Sequence, residues 1–203
     1  IDGGANIGYY TLLFAQKVGP SGRVYAFEPD PTNFSILEKN VRMNGFENVV
    51  LVKKALSDSV GTARLFLSEH NKGGHSLFNF NKQKNSIMVE TISLDEYFKN
   101  TKPKIDFIKL DTEGAEGKIL LGMKELLKKN KKLKMVTEFS VLGLTSSGID
   151  PEKFLKTLVD EGFKIFRIDE KNLVTEPVDV LIDMEKIINS KGEYFNLFCV
   201  RAS

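Results

Sequence analysis

The chain alternates between short apolar runs and longer stretches in which apolar residues recur every three or four positions. Short runs such as GRVYAFEP (22–29) and IDFIKLD (105–111) predict buried strands. Longer stretches such as YYTLLFAQKVG (9–19) and PTNFSILEKNVRMNG (31–45) predict amphipathic helices that end at a glycine. Alternation of strand and helix through most of the chain predicts an α/β fold, with helices packed on both faces of a mainly parallel sheet.

The same patterns place the remaining elements. Further strands are predicted in NVVLVKKAL (48–56), TARLFLS (62–68), IMVETI (87–92), KLKMVTEF (132–139), FKIFRI (163–168) and YFNLFCVR (194–201). Further helices are predicted in SLDE (93–96), which is a capping box, in AEGKILLGMKELLKKN (115–130) and in DPEKFLKTLVDEG (150–162). Two long connections, 69–86 and 169–193, are expected to build the pocket for a substrate.

Length and composition narrow the class of protein. With 203 residues and a net charge of +2, the chain fits a single domain (1–203), and bulk charge does not favour a nucleic-acid partner. The lone Cys199 is expected to pack in a strand, and no apolar run is long enough for a transmembrane segment, so a soluble, reducing, cytoplasmic location is expected. Because the chain starts with Ile1, we expect a C-terminal part of a longer polypeptide, with the first strand truncated.

The glycine-rich start, IDGGANIG, predicts a ligand-binding loop between a strand and a helix. A dinucleotide loop requires G-x-G-x-x-G, whereas the register that ends at Gly8 reads Gly3, Ala5, Gly8 and lacks the middle glycine. Asp2 at the strand end would oppose a pyrophosphate but attract a cation. Glu28, at the end of the second strand, suits a ribose in either class of ligand.

S-adenosylmethionine is a ligand of the second kind, since it carries a sulfonium and an ammonium and no phosphate. The pattern of Asp2, Gly4, Asn6 and Gly8 resembles the glycine loop of class I methyltransferases. Together with AFEPDPTNFSILEKNV, ALSD, SLDEYF and IDFIKLDTEGAEGKILLG, it resembles the FkbM family of methyltransferases from Ile1 to about Gly122.

This resemblance implies a Rossmann-like seven-stranded sheet with a reversed last strand, S-adenosylmethionine as methyl donor, and usually a hydroxyl oxygen as acceptor. By the resemblance, the loop from Asp2 to Gly8 holds the methionine part of the cofactor and Glu28 holds its ribose. Pro29 and the Ala55–Leu56 segment flank the adenine. Ser57 or Asp58 is the candidate for the polar contact to the adenine amine.

The run KLDTEGAE gathers candidate catalytic carboxylates at and just beyond a strand end, at Asp111, Glu113 and Glu116. Asp111 is placed to act as a base, to ligate a metal or to hold the donor's ammonium group. Such close carboxylates require a balancing cation, Lys109 or backbone donors. Glu113 and Glu116 also suit the start of the following helix, and the spacing alone defines no magnesium site, so no metal is assigned.

Three other groups have competing interpretations. His75, in the loop GGHSLF, is a candidate base or a solvated side chain. Glu138 either lines the acceptor side or is a buried structural carboxylate, and the lysines of 128–134 predict a solvated face or a docking site for an acidic or phosphorylated acceptor. The hypothesis is an O-methyltransferase for a small molecule, a sugar or a lipid-linked hydroxyl. The alternatives are an NAD-dependent oxidoreductase and a non-catalytic binding module.

Overall fold

The computed structural model describes residues 1–69, 73–79, 82–172, 174–179 and 194–201. The strands are β1 (Asp2–Gly3), β2 (Val24–Phe27), β3 (Val49–Val52), β4 (Ala55–Leu56), β5 (Gly61–Phe66), β6 (Ser86–Ile92), β7 (Phe107–Leu110), β8 (Lys134–Ser140), β9 (Phe163–Asp169), β10 (Val174–Pro177) and β11 (Tyr194–Arg201). The helices are α1 (Tyr9–Val18), α2 (Pro31–Met43), α3 (Leu94–Tyr97), α4 (Glu116–Leu121), α5 (Lys124–Lys129), α6 (Val141–Ser146) and α7 (Pro151–Asp160).

The main sheet has the strand order β10-β9-β11-β8-β7-β1-β2-β3. Strands β3, β2, β1, β7 and β8 run parallel to one another, whereas β11 pairs antiparallel with both β8 and β9. The predicted Rossmann-like sheet with a reversed last strand is therefore confirmed. The described sheet has eight strands rather than seven, because the connection after β9 contributes β10 as an antiparallel edge strand.

Helices cover both faces of this sheet, as the pattern predicted. Ala26 of β2 packs with Leu37 and Val41 of α2, in a cluster that also includes Ala5. The next residue of β2, Phe27, points to the opposite face because side chains alternate along a strand, and it belongs to the larger core on that side. The buried thiol of Cys199 lies in that larger core, which confirms its predicted packing in a strand.

The predicted strand 48–56 is divided in two. The backbone N–H of Lys54 donates to the carbonyl of Val52, which closes a turn after β3. The following β4 leaves the main sheet and pairs with β6 in a separate sheet of order β4-β6-β5. This turn places Ala55 and Leu56 beyond the carboxyl edge of the main sheet.

The single helix predicted for 115–130 is also wrong, because the chain breaks into α4 and α5 at Gly122. A Cβ atom at Gly122 would lie 2.4 Å from the carbonyl oxygen of Ser57, so the chain packs there against the segment after β4. The carboxylate of Asp95 accepts the backbone N–H groups of Glu125 and Leu126 at 3.0 and 2.8 Å and so caps a new helix. Helix α6, which the sequence pattern did not predict, follows β8 directly. In the part of the chain that the structure describes, no helix is both long and apolar enough to cross a membrane.

Candidate active site

A cavity of about 430 Å³ lies at the carboxyl ends of β1, β2 and β7. This is the edge of an open parallel sheet at which ligands collect. Most of the predicted site residues line it together: Gly4, Asn6, Glu28, Pro29, Ala55, Leu56, His75, Asp111 and Glu113. Residues that lie far apart in the chain, from Gly4 to Glu113, thus line one cavity.

The glycine loop lies directly on the end of β7. Gly4 has φ +75°, and a Cβ atom at this position would lie 1.9 Å from the carbonyl oxygen of Asp111. The N–H groups of Gly4 and Ala5 both donate to the carbonyl of Phe27, at 3.1 and 2.9 Å. Because Gly4 has no side chain, the backbone of the loop can pack directly against the ends of β2 and β7.

Gly8 and Asp2 do not line the cavity, although the sequence pattern placed both in the cofactor loop. Gly8 has φ +97°, and a Cβ atom there would lie 2.7 Å from Cδ1 of Leu37, so glycine allows α1 to begin close against α2. Asp2 is fully buried, and its Oδ2 accepts the hydroxyl of Thr11 at 2.6 Å. Its contact with any ligand would be indirect, through its neighbours.

Lys109 connects the buried Asp2 to the cavity. Its Nζ lies 3.2 Å from Oδ2 of Asp111 and 3.5 Å from Oδ1 of Asp2, and 4.9 Å from the ring centroid of Tyr10. The lysine side chain is 9% exposed, whereas that of Asp111 is 46% exposed. One ammonium group is thus shared by two carboxylates. Lys109 was one of the groups expected from the sequence to balance the negative charges near Asp111.

The Glu28 carboxylate fastens the glycine loop to the end of β2. Its Oε2 accepts the backbone N–H of Asn6 at 2.8 Å, and its Oε1 accepts that of Asp30 at 2.9 Å. Burial raises the pKa of this carboxyl to about 7, although the two hydrogen bonds oppose that shift. Each carboxylate oxygen has two lone pairs, so both retain capacity to accept a ligand hydroxyl.

A tight turn after β7 presents Glu113 to the cavity. Glu113 has φ +53°, an uncommon conformation for a residue with a side chain. Glu116 holds the turn: its Oε1 accepts the N–H and the hydroxyl of Thr112, both at 2.7 Å, and its Oε2 accepts the N–H of Gly114 at 2.9 Å. Glu116 is thus occupied within the turn, and Glu113 is the carboxylate of the turn that lines the cavity.

The environment of Glu113 suits acid–base chemistry near neutral pH. Burial, and then the negative charges of Asp111 and Glu116, raise its pKa to about 7. A carboxyl with a pKa close to the working pH is present in both protonation states and exchanges protons readily.

Glu138 lies behind this turn and outside the cavity lining. It is 8% exposed, and within the described structure its Oε2 has no hydrogen-bond partner. Burial, followed by the charges of Glu116, Glu113 and Asp111, raises its pKa to about 9. Glu138 is therefore neutral at pH 7, which relieves repulsion among the four acids.

The cavity brings together only some of the residues predicted for the adenine side. Pro29, Ala55 and Leu56 line the cavity, but Ser57 and Asp58 do not. Asp58 instead forms an ion pair with Lys118, its Oδ2 lying 3.1 Å from Nζ. Its carboxylate is thus engaged with α4.

His75 lines the cavity from the segment that crosses over it. Its Nδ1 accepts the backbone N–H of Ser68 at 3.0 Å, so the neutral ring carries its proton on Nε2. In that tautomer the other nitrogen donates a hydrogen bond and accepts no proton. The geometry therefore favours a carboxylate over His75 as the base.

Several lining residues were not singled out from the sequence. They are Ile7, Tyr9, Tyr10, Asn33, Leu65, Gly73, Leu77 and Thr112. Tyr9 and Tyr10 are 74% and 44% exposed, and their rings meet edge to face with centroids 5.2 Å apart. Two adjacent tyrosines directly after a glycine loop were a usable signal, but the helical pattern assigned them to the apolar face of α1.

Among the residues that the structure describes, no group of three or more His, Cys, Asp or Glu side chains is arranged to hold a metal ion. Asp111 is paired with Lys109, Glu28 with backbone N–H groups, and Glu116 with the turn after β7.

Comparison with known proteins agrees with this geometry. The chain is 28% identical over 200 residues to methyltransferase sdnD of Sordaria araneosa, a match that covers 82% of this chain and 74% of that protein. It is 30% identical over 160 residues to the hexuronic acid methyltransferase AglP of Haloferax volcanii, which covers 77% of this chain and 59% of that protein.

The crystal structure of methyltransferase FkbM from Methylobacillus flagellatus KT shares the fold, with a TM-score of 0.56 and 19% identity, over 97% of this chain and 42% of that one. The chain thus spans 42% to 74% of the length of these three proteins. The model of the methyltransferase FkbM domain matches residues 2–165. That match covers most of the chain and includes the glycine loop, Glu28 and the turn after β7, so the chain belongs to the FkbM methyltransferase family.

Proposed function

We propose that this protein transfers a methyl group from S-adenosylmethionine to a hydroxyl oxygen. The observation that carries the proposal is the charge of the cavity: Glu28, Asp111 and Glu113 line it, and the lining lysine, Lys109, is already shared by two carboxylates. Such a cavity favours a nucleoside that carries positive charge and no phosphate.

The residues present fit that nucleoside along the length of the cavity. Glu28 would accept the ribose hydroxyls, between the loop at Asn6 and the apolar end formed by Pro29, Ala55 and Leu56. Asp111 lies at the other end, beside Lys109, where a carboxylate would attract the ammonium of the methionine part. When bound, S-adenosylmethionine supplies a methyl group that is made electrophilic by the sulfonium.

The same charges count against the dinucleotide alternative. A pyrophosphate bound on the glycine loop would face Asp111 and Glu113, and Lys109 would have to leave its carboxylate partners to neutralise it. Asp2 itself is fully buried, so the acids that would repel a pyrophosphate are those that line the cavity. Electrostatics therefore favour the sulfonium ligand over NAD.

The acceptor would enter at the end of the cavity formed by Tyr9, Tyr10 and Asp111. The exposed, mutually perpendicular tyrosine rings offer an apolar corner with polar phenol groups, which suits the ring of a sugar or another cyclic alcohol. AglP of Haloferax volcanii is named as a hexuronic acid methyltransferase, and this name supports a sugar acceptor.

Within this proposal, Glu113 is the base that removes the proton from the acceptor hydroxyl. It faces the cavity, and its pKa near 7 leaves a substantial ionised fraction at neutral pH. Glu116 holds the turn and thereby keeps Glu113 in place beside the acceptor. Such alignment of the reacting groups would contribute much of the catalysis.

The experiment combines binding and turnover. Isothermal titration calorimetry with S-adenosylhomocysteine and with NAD should give saturable binding of the first and none of the second. Transfer of tritium-labelled methyl groups is then measured to a panel of sugars, sugar acids and simple cyclic alcohols. Binding of NAD alone would refute the proposal, and binding of S-adenosylhomocysteine without transfer to any acceptor would favour a binding module.

A further inference from the structure

A short segment crosses over the cavity and is hydrogen-bonded on both sides. We call residues 73–79 the cavity strap. Gly73, His75 and Leu77 of the strap line the cavity, whereas Ser76, between the last two, points away from it and is fully buried. His75 and Leu77 therefore face the cavity, while Ser76 between them faces the interior of the protein.

Ser76 is the point at which the strap is fastened. Its backbone N–H and carbonyl form an antiparallel bridge with Phe66 at the end of β5, with N···O distances of 3.1 and 2.7 Å. Its hydroxyl donates to the backbone carbonyl of Glu113 at 2.5 Å and accepts the N–H of Phe78 at 3.0 Å. One buried side chain therefore joins the strap to the turn that presents Glu113.

The Ser76 hydroxyl bonds to a residue whose backbone has a positive φ angle. Glu113 has φ +53°, and such a conformation persists only where neighbouring contacts hold it. Glu116 fixes the turn from the helix side, through Thr112 and Gly114. Ser76 fixes it from the side of the strap, by way of the Glu113 carbonyl.

We propose that Ser76 is a positioning residue that latches the cavity strap onto the Glu113 turn, retains the nucleoside in the cavity and holds Glu113 in its working orientation. The inference rests on the proposed function for its ligand and for the role of Glu113. The latch itself is a property of the unliganded fold. Loss of the hydroxyl leaves the Glu113 carbonyl and the Phe78 N–H, both partly buried, without their partner, so the strap separates from the turn more often.

The test compares Ser76→Ala with Ser76→Thr, which retains a hydroxyl, and with Ser76→Cys, which retains a similar volume but hydrogen-bonds weakly. Ser59→Ala is the matched control, because the Ser59 hydroxyl bonds to Asp58 on the surface, outside the cavity lining. Stopped-flow measurements give the dissociation rate of S-adenosylhomocysteine, and hydrogen exchange gives the protection of the amides of Ser76 and Phe78. Urea unfolding identifies variants that fail to fold.

We expect Ser76→Ala and Ser76→Cys to release S-adenosylhomocysteine about tenfold faster or more, with partial rescue in Ser76→Thr and no change in Ser59→Ala. The amides of Ser76 and Phe78 should lose protection, and the pH midpoint of kcat should move because Glu113 is no longer held. Folded variants with wild-type release rates and wild-type protection would refute the latch. If the wild-type protein does not bind S-adenosylhomocysteine, the proposed function fails, and hydrogen exchange in the unliganded protein still decides whether Ser76 latches the strap.

Discussion

At the scale of single residues, the site depends on which carboxylates are engaged and which one faces the ligand. Glu116 accepts hydrogen bonds within the turn after β7, and Asp2 accepts the hydroxyl of Thr11. Asp111 forms an ion pair with Lys109. Glu113 is left facing the cavity with a raised pKa. These four acids therefore have different surroundings in the folded protein.

Replacement of Glu113 by glutamine tests its role as the base. We expect kcat to fall by about 10²- to 10⁴-fold, because general-base catalysis contributes on that order, while the Kd for S-adenosylhomocysteine changes little. The wild-type kcat should rise as the pH increases through about 7, since the base acts in its ionised form. The variant should lack this rise.

Two further variants make the result on Glu113 specific. Glu47→Gln alters an exposed carboxylate outside the cavity and should leave the pH profile unchanged. Asp111→Asn tests a second acid that lines the cavity. If Glu113→Gln retains most of its activity while Asp111→Asn loses it, the assignment of the base to Glu113 is wrong.

At the scale of elements, the glycine loop works by allowing backbone segments to approach one another. Gly4 lies against the end of β7, and Gly8 allows α1 to start against α2. These contacts hold the ends of β1, β2 and β7 at one level, so that Glu28 and Asp111 face the same cavity. The loop is thus a structural joint as well as a ligand-binding segment.

The substitution Gly4→Ala tests this joint. Its Cβ would lie 1.9 Å from the carbonyl oxygen of Asp111, and φ is +75°. Gly45→Ala is a matched control, because φ there is +69° and no atom lies within 4 Å of the added Cβ. The control should lose about 1–2 kcal/mol in the free energy of unfolding, from backbone strain alone.

Gly4→Ala should lose clearly more stability than Gly45→Ala in urea unfolding, because the strands must separate to admit the methyl group. Binding of S-adenosylhomocysteine should weaken in the same variant. Equal losses in both variants would show that the contact with β7 contributes nothing beyond the cost of the left-handed conformation.

At the scale of the whole molecule, the buried acids link stability to pH. Burial raises the pKa of Glu28 and Glu113 to about 7 and that of Glu138 to about 9, all above the ordinary value of 4.5. At pH values between 4.5 and the raised pKa of each group, that carboxyl is protonated in the folded protein but ionised in the unfolded chain. The free energy of unfolding should therefore be highest near pH 5 and fall as the pH rises toward 9.

Glu138→Gln should reduce this fall, because it removes a buried carboxyl whose pKa is raised to about 9. We expect a gain on the order of 1–3 kcal/mol in the free energy of unfolding at pH 8, measured by urea denaturation across the pH range. Glu47→Gln, on the surface, should leave the pH dependence unchanged. A wild-type stability that increases from pH 5 to 9 would contradict the prediction.

The periodic patterns were sufficient for most elements of the fold. Helices α1, α2 and α7 begin and end close to their predicted signals, with Asp150 and Pro151 at the start of α7. Two predictions were wrong for reasons outside the pattern: the strand 48–56 divides where β4 joins another sheet, and the helix 115–130 breaks where Asp95 caps α5. Both depend on partners that are distant in the sequence.

The sequence alone therefore determined the class of fold, the family resemblance and the strand ends that supply the site, because periodicity and local motifs are short-range properties. Only the tertiary structure decided that Glu113 rather than Glu116 lines the cavity, and that Asp2 is buried beside Lys109. It also decided that Ser76 joins the cavity strap to Glu113. Charge balance, burial and close backbone contacts arise only when segments far apart in the chain meet. A residue's chemistry at this site is consequently set by its neighbours in space rather than by those in the chain.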